Sequence, residues 1–306
     1  MNFKTNKIKD IREHCFVELK KMFPQNEASS LLDVIFGEYL AMTRAGRHLN
    51  PGYRLSLPEM LKVQFAVEEL KKNKPIQYIF NQADFYGLRF YVDKRVLIPR
   101  PETEELVEWI INDNGQLKAG LKILDIGTGS GCIAVSLKKN IPTSQVWAMD
   151  ISAGAIDVAK QNAAKNEVEL TFLQQDMLQV DNISGAPQFD IIVSNPPYVR
   201  ESEKAEMSEN VLKFEPAAAL FVEDTDALVY YRQIAKIAMK SLSPLRQPPP
   251  ANKKISRHFN KLPLQSLPHH SMLKQFPATT PKMYQILSKN FSTVNGLQNG
   301  QDFHLS

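Results

Sequence analysis

The pattern of apolar and polar positions divides the chain into parts with different periods. Through the first 80 residues, apolar side chains recur at helical spacing over 8–23, 28–42 and 57–70. From residue 121 onward, short apolar runs alternate with helical stretches. This alternation is typical of parallel α/β sheets. The pattern therefore predicts a small helical bundle that is followed by an α/β domain.

Four short strands are predicted in the α/β part, each followed by a loop. They cover residues 121–125, 145–149, 169–173 and 189–194. Helices are predicted at 132–139 and 152–165, with Ser152 as the N-cap of the second. The alternating segment 85–98 predicts a β-hairpin between the bundle and the sheet.

The last of these strands ends in Asn195, Pro196, Pro197 and Tyr198. Two prolines cannot continue a strand ladder, so the chain turns there. The turn brings the Asn195 carboxamide and the Pro196 carbonyl to the carboxyl end of a strand, where open α/β sheets bind ligands. Both oxygens can accept from one planar NH2 group while an aromatic ring lies against it. Such a corner suits an amino group that is about to be alkylated, although an ordinary strand-to-loop turn can have the same residues.

A glycine-rich loop follows the first of these strands and contains Gly127, Thr128, Gly129, Ser130 and Gly131. Glycines let a ligand approach the backbone closely, and the start of the following helix offers free N–H groups. Dinucleotide-binding enzymes use similar loops, so the loop alone does not identify the ligand.

Three further residues indicate an adenosine-containing cofactor. Asp150 ends the second strand, about 20 residues after the glycine-rich loop, where a carboxylate can hold a ribose diol. Asp176 and Met177 follow the third strand, where a carboxylate and an apolar side chain can hold an adenine. Either aspartate alone is equally consistent with a surface loop. Their order along the chain carries the prediction.

These motifs together resemble the S-adenosylmethionine-dependent amino-methyltransferases, through DIGTGSG at 125–131, Asp150, Asp176 and NPPY at 195–198. The resemblance implies a Rossmann-like class I methyltransferase sheet, S-adenosyl-L-methionine as the cofactor, and Asn195 in contact with both cofactor and acceptor. The class includes enzymes that act on DNA adenine, on rRNA guanine and on protein glutamine. The motifs therefore fix the chemistry better than the substrate.

A second segment narrows this resemblance. IPRPETEELV at 98–107 resembles, nearly residue for residue, the linker of the release-factor glutamine methyltransferases. The family implies that the substrate is the glutamine in the GGQ loop of peptide-chain release factors, contacted by 195–198 and held in part by a helical domain at 1–80. An alternative reading is an ordinary helix start, since proline and acids are favoured in a first turn.

The distribution of charge separates protein from nucleic-acid substrates. Residues 81–240 hold 16 Lys and Arg against 23 Asp and Glu, whereas residues 1–80 hold 13 against 9. Binding to DNA or rRNA phosphates would favour a basic groove. The acidic core favours a protein substrate without direct nucleic-acid binding. An amino-methyltransferase acting on DNA or rRNA remains the alternative, because it would share every cofactor residue.

The last part of the chain breaks the pattern. Residues 241–306 hold eight of the 19 prolines and eight Lys and Arg against one acid, Asp302. Apart from a short helix predicted near 283–291, they show no clean period, so we expect a disordered basic tail. The C-terminal strands of the family are then missing and the strand at 189–194 becomes a sheet edge. A catalytically impaired binding protein is therefore a third hypothesis.

The whole chain is expected to have a helical domain at 1–80, a hairpin linker at 81–101, a methyltransferase domain at 102–240 and the tail. Its 43% apolar and 23% charged residues are typical of globular proteins. Cys15 and Cys132 fall in different predicted domains, so neither a disulfide nor a metal site is expected. Apolar runs stay below the ~18 residues that span a membrane, and a secretory signal core is missing. We expect a cytoplasmic monomer.

Overall fold

The structure is a computed structural model that describes residues 3–114, 120–180, 183, 185–243, 272–273 and 282–287. The chain forms two compact units. The first comprises Met1–Gln82 together with Glu206–Glu215, and the second comprises Ala83–Ala205 with Pro216–Ser306. The segment Glu206–Glu215 was expected in the methyltransferase domain, but its contacts group it with the helices of the first unit.

The first unit is a helical bundle. Its helices are α1 Ile8–Leu19, α2 Gln25–Leu40, α3 Arg44–Leu49, α4 Leu57–Leu70, α5 Ile76–Phe80 and α9 Glu209–Phe214. The helices predicted at 8–23, 28–42 and 57–70 are confirmed as α1, α2 and α4 with shifted ends. A capping box fixes the start of α4, because Glu59 accepts from the Ser56 backbone N–H at 2.7 Å. The apolar faces meet in a core that includes Leu32 and Phe36.

The second unit begins with a short hairpin of β1 Ala83–Phe85 and β2 Leu88–Phe90. The prediction of strands through 98 was wrong, because the chain leaves the ladder after Phe90. Asp93 explains part of this: its carboxylate accepts from the backbone N–H of Arg95 at 2.9 Å, which forms a local turn in place of strand pairing.

A six-stranded sheet forms the centre of the second unit. Its strands are β3 Lys122–Ile126, β4 Gln145–Asp150, β5 Thr171–Gln174, β6 Ile191–Ser194, β9 Met272–Leu273 and β10 Lys282–Leu287. Their order is β5-β4-β3-β6-β10-β9, and only the pair β9 and β10 is antiparallel. A separate two-residue pair joins β7 Val199–Arg200 to β8 Phe221–Val222. The predicted Rossmann-like class I methyltransferase sheet is confirmed.

Helices cover this sheet. They are α6 Pro101–Asn114, α7 Cys132–Asn140, α8 Ala153–Lys165 and α10 Val229–Ser241. The N-cap role predicted for Ser152 is confirmed, since its hydroxyl accepts from the backbone N–H of Ala155 at 3.2 Å. On α10, Ile234 and Ile237 share a buried core with residues of β3 and β6. None of the described helices is long and apolar enough to cross a membrane.

The tail contradicts two expectations. β10 pairs in parallel with β6, with Met283 opposite Ile192, so β6 is not a sheet edge and the C-terminal strands are not all missing. The short helix predicted near 283–291 was wrong over Lys282–Leu287, and the expectation of disorder fails for the two strands. Six residues are too few to separate a strand period from a helical one, and Tyr284 and Ile286 favour strands. The remaining tail positions, 244–271, 274–281 and 288–306, lie outside the described residues.

Candidate active site

A cavity of about 280 Å³ opens at the carboxyl ends of β3, β4, β5 and β6. The strand order reverses at β3, because β4 lies on one side of it and β6 on the other. Open α/β sheets bind ligands at such a point, since the loops of the two sides separate there. The loops after all four strands contribute lining residues, which include Gly127, Asp150, Asp176 and Asn195. Residues predicted separately from four motifs thus meet in one cavity.

The glycine-rich loop lines the cavity with Gly127, Thr128, Gly129 and Ser130. Gly131, which was predicted to bind the cofactor, instead precedes α7 as its N-cap residue and packs against α8. Its φ is 78°, and a Cβ there would lie 3.1 Å from the Cβ of Ala159. Glycine at this position therefore allows a left-handed conformation and a close helix contact at once.

Asp125 lies buried beneath this loop. One of its carboxylate oxygens accepts from the Thr128 hydroxyl at 2.7 Å, and the other has no partner within the part of the chain that the structure describes. Burial raises the pKa of the Asp125 carboxyl to about 7; the Thr128 hydrogen bond opposes this rise and nearby Asp150 adds to it. The carboxyl thus ties the loop to the end of β3.

Asp150 is held by the backbone around it. Its two oxygens accept from the N–H groups of Gly129 and Ser152, each at 2.9 Å. These bonds fix a carboxylate at the mouth of the glycine-rich loop. The next residue, Ile151, also lines the cavity and is 60% exposed, so an apolar side chain stands beside the acid.

Asp176 and Met177 lie on the loop after β5. The Asp176 carboxylate accepts from the backbone N–H of Leu178 at 2.9 Å, which caps a short 3₁₀ turn. The Met177 methyl group lies 3.8 Å from the position that a Cβ on Gly127 would take. Both residues line the cavity, so a carboxylate and an apolar face meet next to the glycine-rich loop, as the sequence predicted.

Asn195 directly follows β6 and lines the same cavity. Its Nδ2 donates to the Thr103 hydroxyl at 3.3 Å, while its Oδ1 is buried and lacks a hydrogen-bond partner among the described residues. The preceding Ser194 donates to the Ile126 carbonyl at 2.7 Å, which joins the ends of β6 and β3. A buried oxygen without a donor costs free energy, so this corner has an acceptor to offer to a ligand.

The rest of the NPPY corner is less open to the cavity. Pro197 contributes to the lining, whereas Pro196 is buried and Tyr198 is half-buried beside it. Burial raises the pKa of the Tyr198 phenol; the charge of Arg100 opposes this rise and that of Glu102 adds to it. The tyrosine ring therefore stays neutral, as an aromatic packing surface requires.

The lining residues that were not predicted from the sequence as site residues include Thr103, Gln175 and Tyr230. Gln175 has a buried Oε1 that accepts no hydrogen bond from the described part of the chain. Burial raises the pKa of the Tyr230 phenol, with nearby Asp176 adding to the rise. Gln175 could have been inferred as a site residue because it precedes Asp176 in the sequence. No sequence motif pointed to Tyr230, which lies on α10.

Metal and thiol chemistry have little support in this unit. Within the described ranges, no group of three His, Cys, Asp or Glu residues is placed to hold a metal ion. Cys132 lines the cavity, but burial raises the pKa of its thiol to about 12. The thiol therefore stays protonated at neutral pH and is a poor nucleophile.

Comparisons with known proteins agree with this geometry. Residues 103–229 match the family model of the methyltransferase small domain. The release factor glutamine methyltransferase of Flavobacterium psychrophilum is 47% identical over 238 residues, which are 77% of this chain and 83% of the relative. That of Bacteroides thetaiotaomicron is 43% identical over 226 residues, which are 74% of this chain and 80% of the relative.

The chain belongs to the release factor glutamine methyltransferase family. Among solved structures, the catalytic domain of hMettl16 in complex with MAT2A 3'UTR hairpin 6 aligns with a TM-score of 0.39. It is 18% identical over 60% of this chain and 63% of that one. This similarity is too low to argue from, so the assignment depends on the relatives.

The cofactor of this family member is S-adenosyl-L-methionine. The residues present fit it. The glycine-rich loop exposes backbone beside the fixed Asp150 carboxylate, and the buried Gln175 Oε1 is an acceptor without a described donor. S-adenosyl-L-methionine has hydroxyl and amino groups that can donate to the Asp150 carboxylate and to Gln175 Oε1.

Proposed function

We propose that this chain transfers a methyl group from S-adenosyl-L-methionine to the side-chain amide nitrogen of the glutamine in the GGQ loop of peptide-chain release factors. One observation carries the proposal. The unpaired, buried Oδ1 of Asn195 lies in the same cavity as the glycine-rich loop and Asp150. The binding site for the methyl donor and a hydrogen-bond acceptor for a planar NH2 group therefore lie in one cavity. The family membership of the chain supports this substrate.

The glycine-rich loop and Asp150 form one part of the cofactor half of the cavity. When bound, the cofactor supplies a methyl group that is activated by a positively charged sulfur. Backbone of Gly127, Thr128, Gly129 and Ser130 lies against it, with Gly131 holding the loop onto α8. Asp150 holds the ribose diol, as its position at the end of β4 favours.

The adenine is assigned to the loop after β5. Asp176 accepts from the adenine amino group, and Met177 packs on the ring. Met177 reaches towards Gly127, so its side chain is already placed along the glycine-rich loop. Asn195 borders this cofactor as well as the acceptor.

The acceptor half performs the chemistry by orientation and electrostatics. An amide nitrogen is a poor nucleophile because its lone pair is delocalised. Asn195 Oδ1 and the Pro196 carbonyl accept from its two N–H groups and stabilise the positive charge that develops there. Pro197 and Tyr198 pack against the amide plane. The bound cofactor would supply its methyl group from sulfur to this nitrogen, which would then lose one proton to water.

The charge balance of the segment that contains the cavity supports a protein acceptor. Residues 81–240 hold 16 Lys and Arg against 23 Asp and Glu, a balance that disfavours direct nucleic-acid binding. Release factors are therefore the proposed partners. The protein acts as a monomer in the cytoplasm, where translation takes place.

The test is methyl transfer with purified proteins. The full chain is incubated with radiolabelled S-adenosyl-L-methionine and a release factor, and mass spectrometry locates the added methyl group. We expect label on the GGQ glutamine and none on a release factor in which that glutamine is replaced by alanine. Label on DNA or rRNA instead would contradict the proposed substrate. Cofactor binding without transfer to any of these acceptors would indicate a binding protein.

A further inference from the structure

We propose that Thr103 is a positioning residue for methyl transfer, which anchors the Asn195 carboxamide so that its oxygen meets the acceptor amide. The inference rests on the function proposed above and deepens it. Thr103 lies in the first turn of α6, 92 positions before Asn195 in sequence, and only the fold brings the two together.

Thr103 and Asn195 are joined by a hydrogen bond at the edge of the cavity. Thr103 is 3% exposed and lines the cavity, and its Oγ1 accepts from Asn195 Nδ2 at 3.3 Å. Its own backbone N–H donates to the Arg100 carbonyl at 3.0 Å, which fixes the first turn of the helix. The hydroxyl is therefore held by a rigid element rather than by a loop.

This hydrogen bond bears on the orientation of the carboxamide. Nδ2 is bonded to Thr103, whereas Oδ1 is buried without a partner in the described chain. An acceptor NH2 group needs an oxygen opposite it, since a flipped carboxamide would place N–H against N–H. A threonine hydroxyl can also donate, so Thr103 does not forbid the flip by itself. It fixes the carboxamide plane, and the acceptor NH2 then selects the productive orientation.

Removal of the Thr103 hydroxyl should disturb the Asn195 carboxamide. Valine has nearly the shape of threonine but offers no lone pair, so Thr103→Val removes the hydrogen-bond partner of Asn195 Nδ2. The carboxamide is then oriented by the acceptor NH2 group alone, without the Thr103 hydroxyl. Serine keeps the hydroxyl and loses only a methyl group.

The kinetic experiment compares Thr103→Val, Thr103→Ser and a control, Thr171→Val, on the exposed start of β5. We expect Thr103→Val to lower kcat for release-factor methylation by about tenfold, the rate equivalent of one lost hydrogen bond. The KM for release factor and the calorimetric Kd for the cofactor change less than about twofold. Thr103→Ser and the control retain most of the rate. An unchanged kcat in Thr103→Val would overturn the inference.

A double-mutant cycle tests whether Thr103 acts through Asn195. In an Asn195→Ala background, Thr103→Val should cause no further loss of rate, because the carboxamide that it orients is absent. If the two losses simply multiplied, Thr103 would act independently of Asn195 and the inference would fail.

A readout without substrate separates this inference from the proposed function. The side-chain NH2 signals of Asn195 are assigned by NMR from their absence in Asn195→Ala. In Thr103→Val these protons should shift and exchange faster with water, whereas Thr171→Val leaves them unchanged. Absence of methyl transfer by the unaltered chain would contradict the function alone. Unaltered Asn195 signals in Thr103→Val would contradict the inference alone.

Discussion

The two sides of the cavity differ in how the side chains assigned to the ligands are paired, although the cofactor side also contains one buried acceptor without a described partner, Gln175 Oε1. The cofactor side consists of the loops after β3, β4 and β5, and there Asp150 accepts two backbone N–H bonds and Asp176 accepts one. The acceptor side consists of Thr103 and the loop after β6. There the Oδ1 of Asn195 is buried and has no partner among the residues that the structure describes.

This difference separates a preformed site from one that a ligand completes. A carboxylate held by backbone N–H groups keeps its place whether or not a ligand is bound. A buried, unpaired amide oxygen costs about 1–3 kcal/mol, which a bound donor can recover. Changes on the acceptor side should therefore reduce the rate of transfer, and changes on the cofactor side should reduce affinity for the cofactor or the stability of the loop.

The largest effect is expected for Asn195→Ala. It removes the acceptor that orients the nucleophile and stabilises developing charge, so kcat for release-factor methylation should fall by about 10²–10³-fold. The calorimetric Kd for the cofactor should change less than about fivefold, because the cofactor side is unaltered. Asn140→Ala, at the exposed end of α7, is the matched control. Transfer by Asn195→Ala at the unaltered rate would remove the residue from the acceptor side.

The cofactor side could be predicted from sequence because each of its residues directly follows a strand. Asp150 is the last residue of β4, and Asp176 comes two residues after β5, so both lie at the carboxyl edge of the sheet. Asn195 follows the same rule. Thr103 does not, since its contact with Asn195 depends on where α6 packs, which no local pattern specifies.

The tail shows a different limit of sequence reasoning. β10 was missed because residues 241–306 are proline-rich and basic and show no clean strand period. Parallel pairing with β6 involves only four residues in register, from Lys282 opposite Ile191 to Gln285 opposite Ser194. Composition describes the average of a segment, and a proline-rich average can still contain one strand.

The next largest effect is expected for Asp150→Ala. The change removes the proposed ribose contact and the acceptor of the Gly129 N–H, so the Kd for the cofactor should rise by about 10–100-fold. At saturating cofactor, kcat should fall far less than in Asn195→Ala. Calorimetry and initial rates measure the two quantities. Asp157→Ala, an exposed acid on α8, should change neither. An unaltered Kd in Asp150→Ala would contradict the division between the two sides.

A smaller effect on stability is expected for Gly131→Ala. The added methyl group lies 3.1 Å from the Ala159 Cβ in a left-handed backbone conformation, so overpacking and strain should lower the free energy of unfolding by about 1–3 kcal/mol. Gly52→Ala, where a Cβ meets nothing within 4 Å, is the control. Chemical denaturation measures both. Equal stability of the two variants would mean that the loop is not clamped against α8.

The remaining effect is the pH dependence that Asp125 contributes. Its pKa is raised by burial from 3.8 to about 7, so the folded state keeps this proton at pH values where the unfolded chain has lost it. Between these values the folded state binds more protons, and its stability falls as pH rises, by at most about 1.4 kcal/mol per pH unit.

Asp125→Asn tests this term because its amide oxygen can still accept from the Thr128 hydroxyl but does not titrate. Relative to the unaltered chain, the free energy of unfolding of Asp125→Asn should rise as pH increases from about 4 to about 7 and then level off. Urea denaturation at several pH values measures this difference, with Asp157→Asn as the exposed control. Parallel stability curves for Asp125→Asn and the unaltered chain would mean that burial does not raise this pKa and that the carboxyl is ionised above about pH 4. The glycine-rich loop of the cofactor side would then be held over a buried, ionised carboxylate.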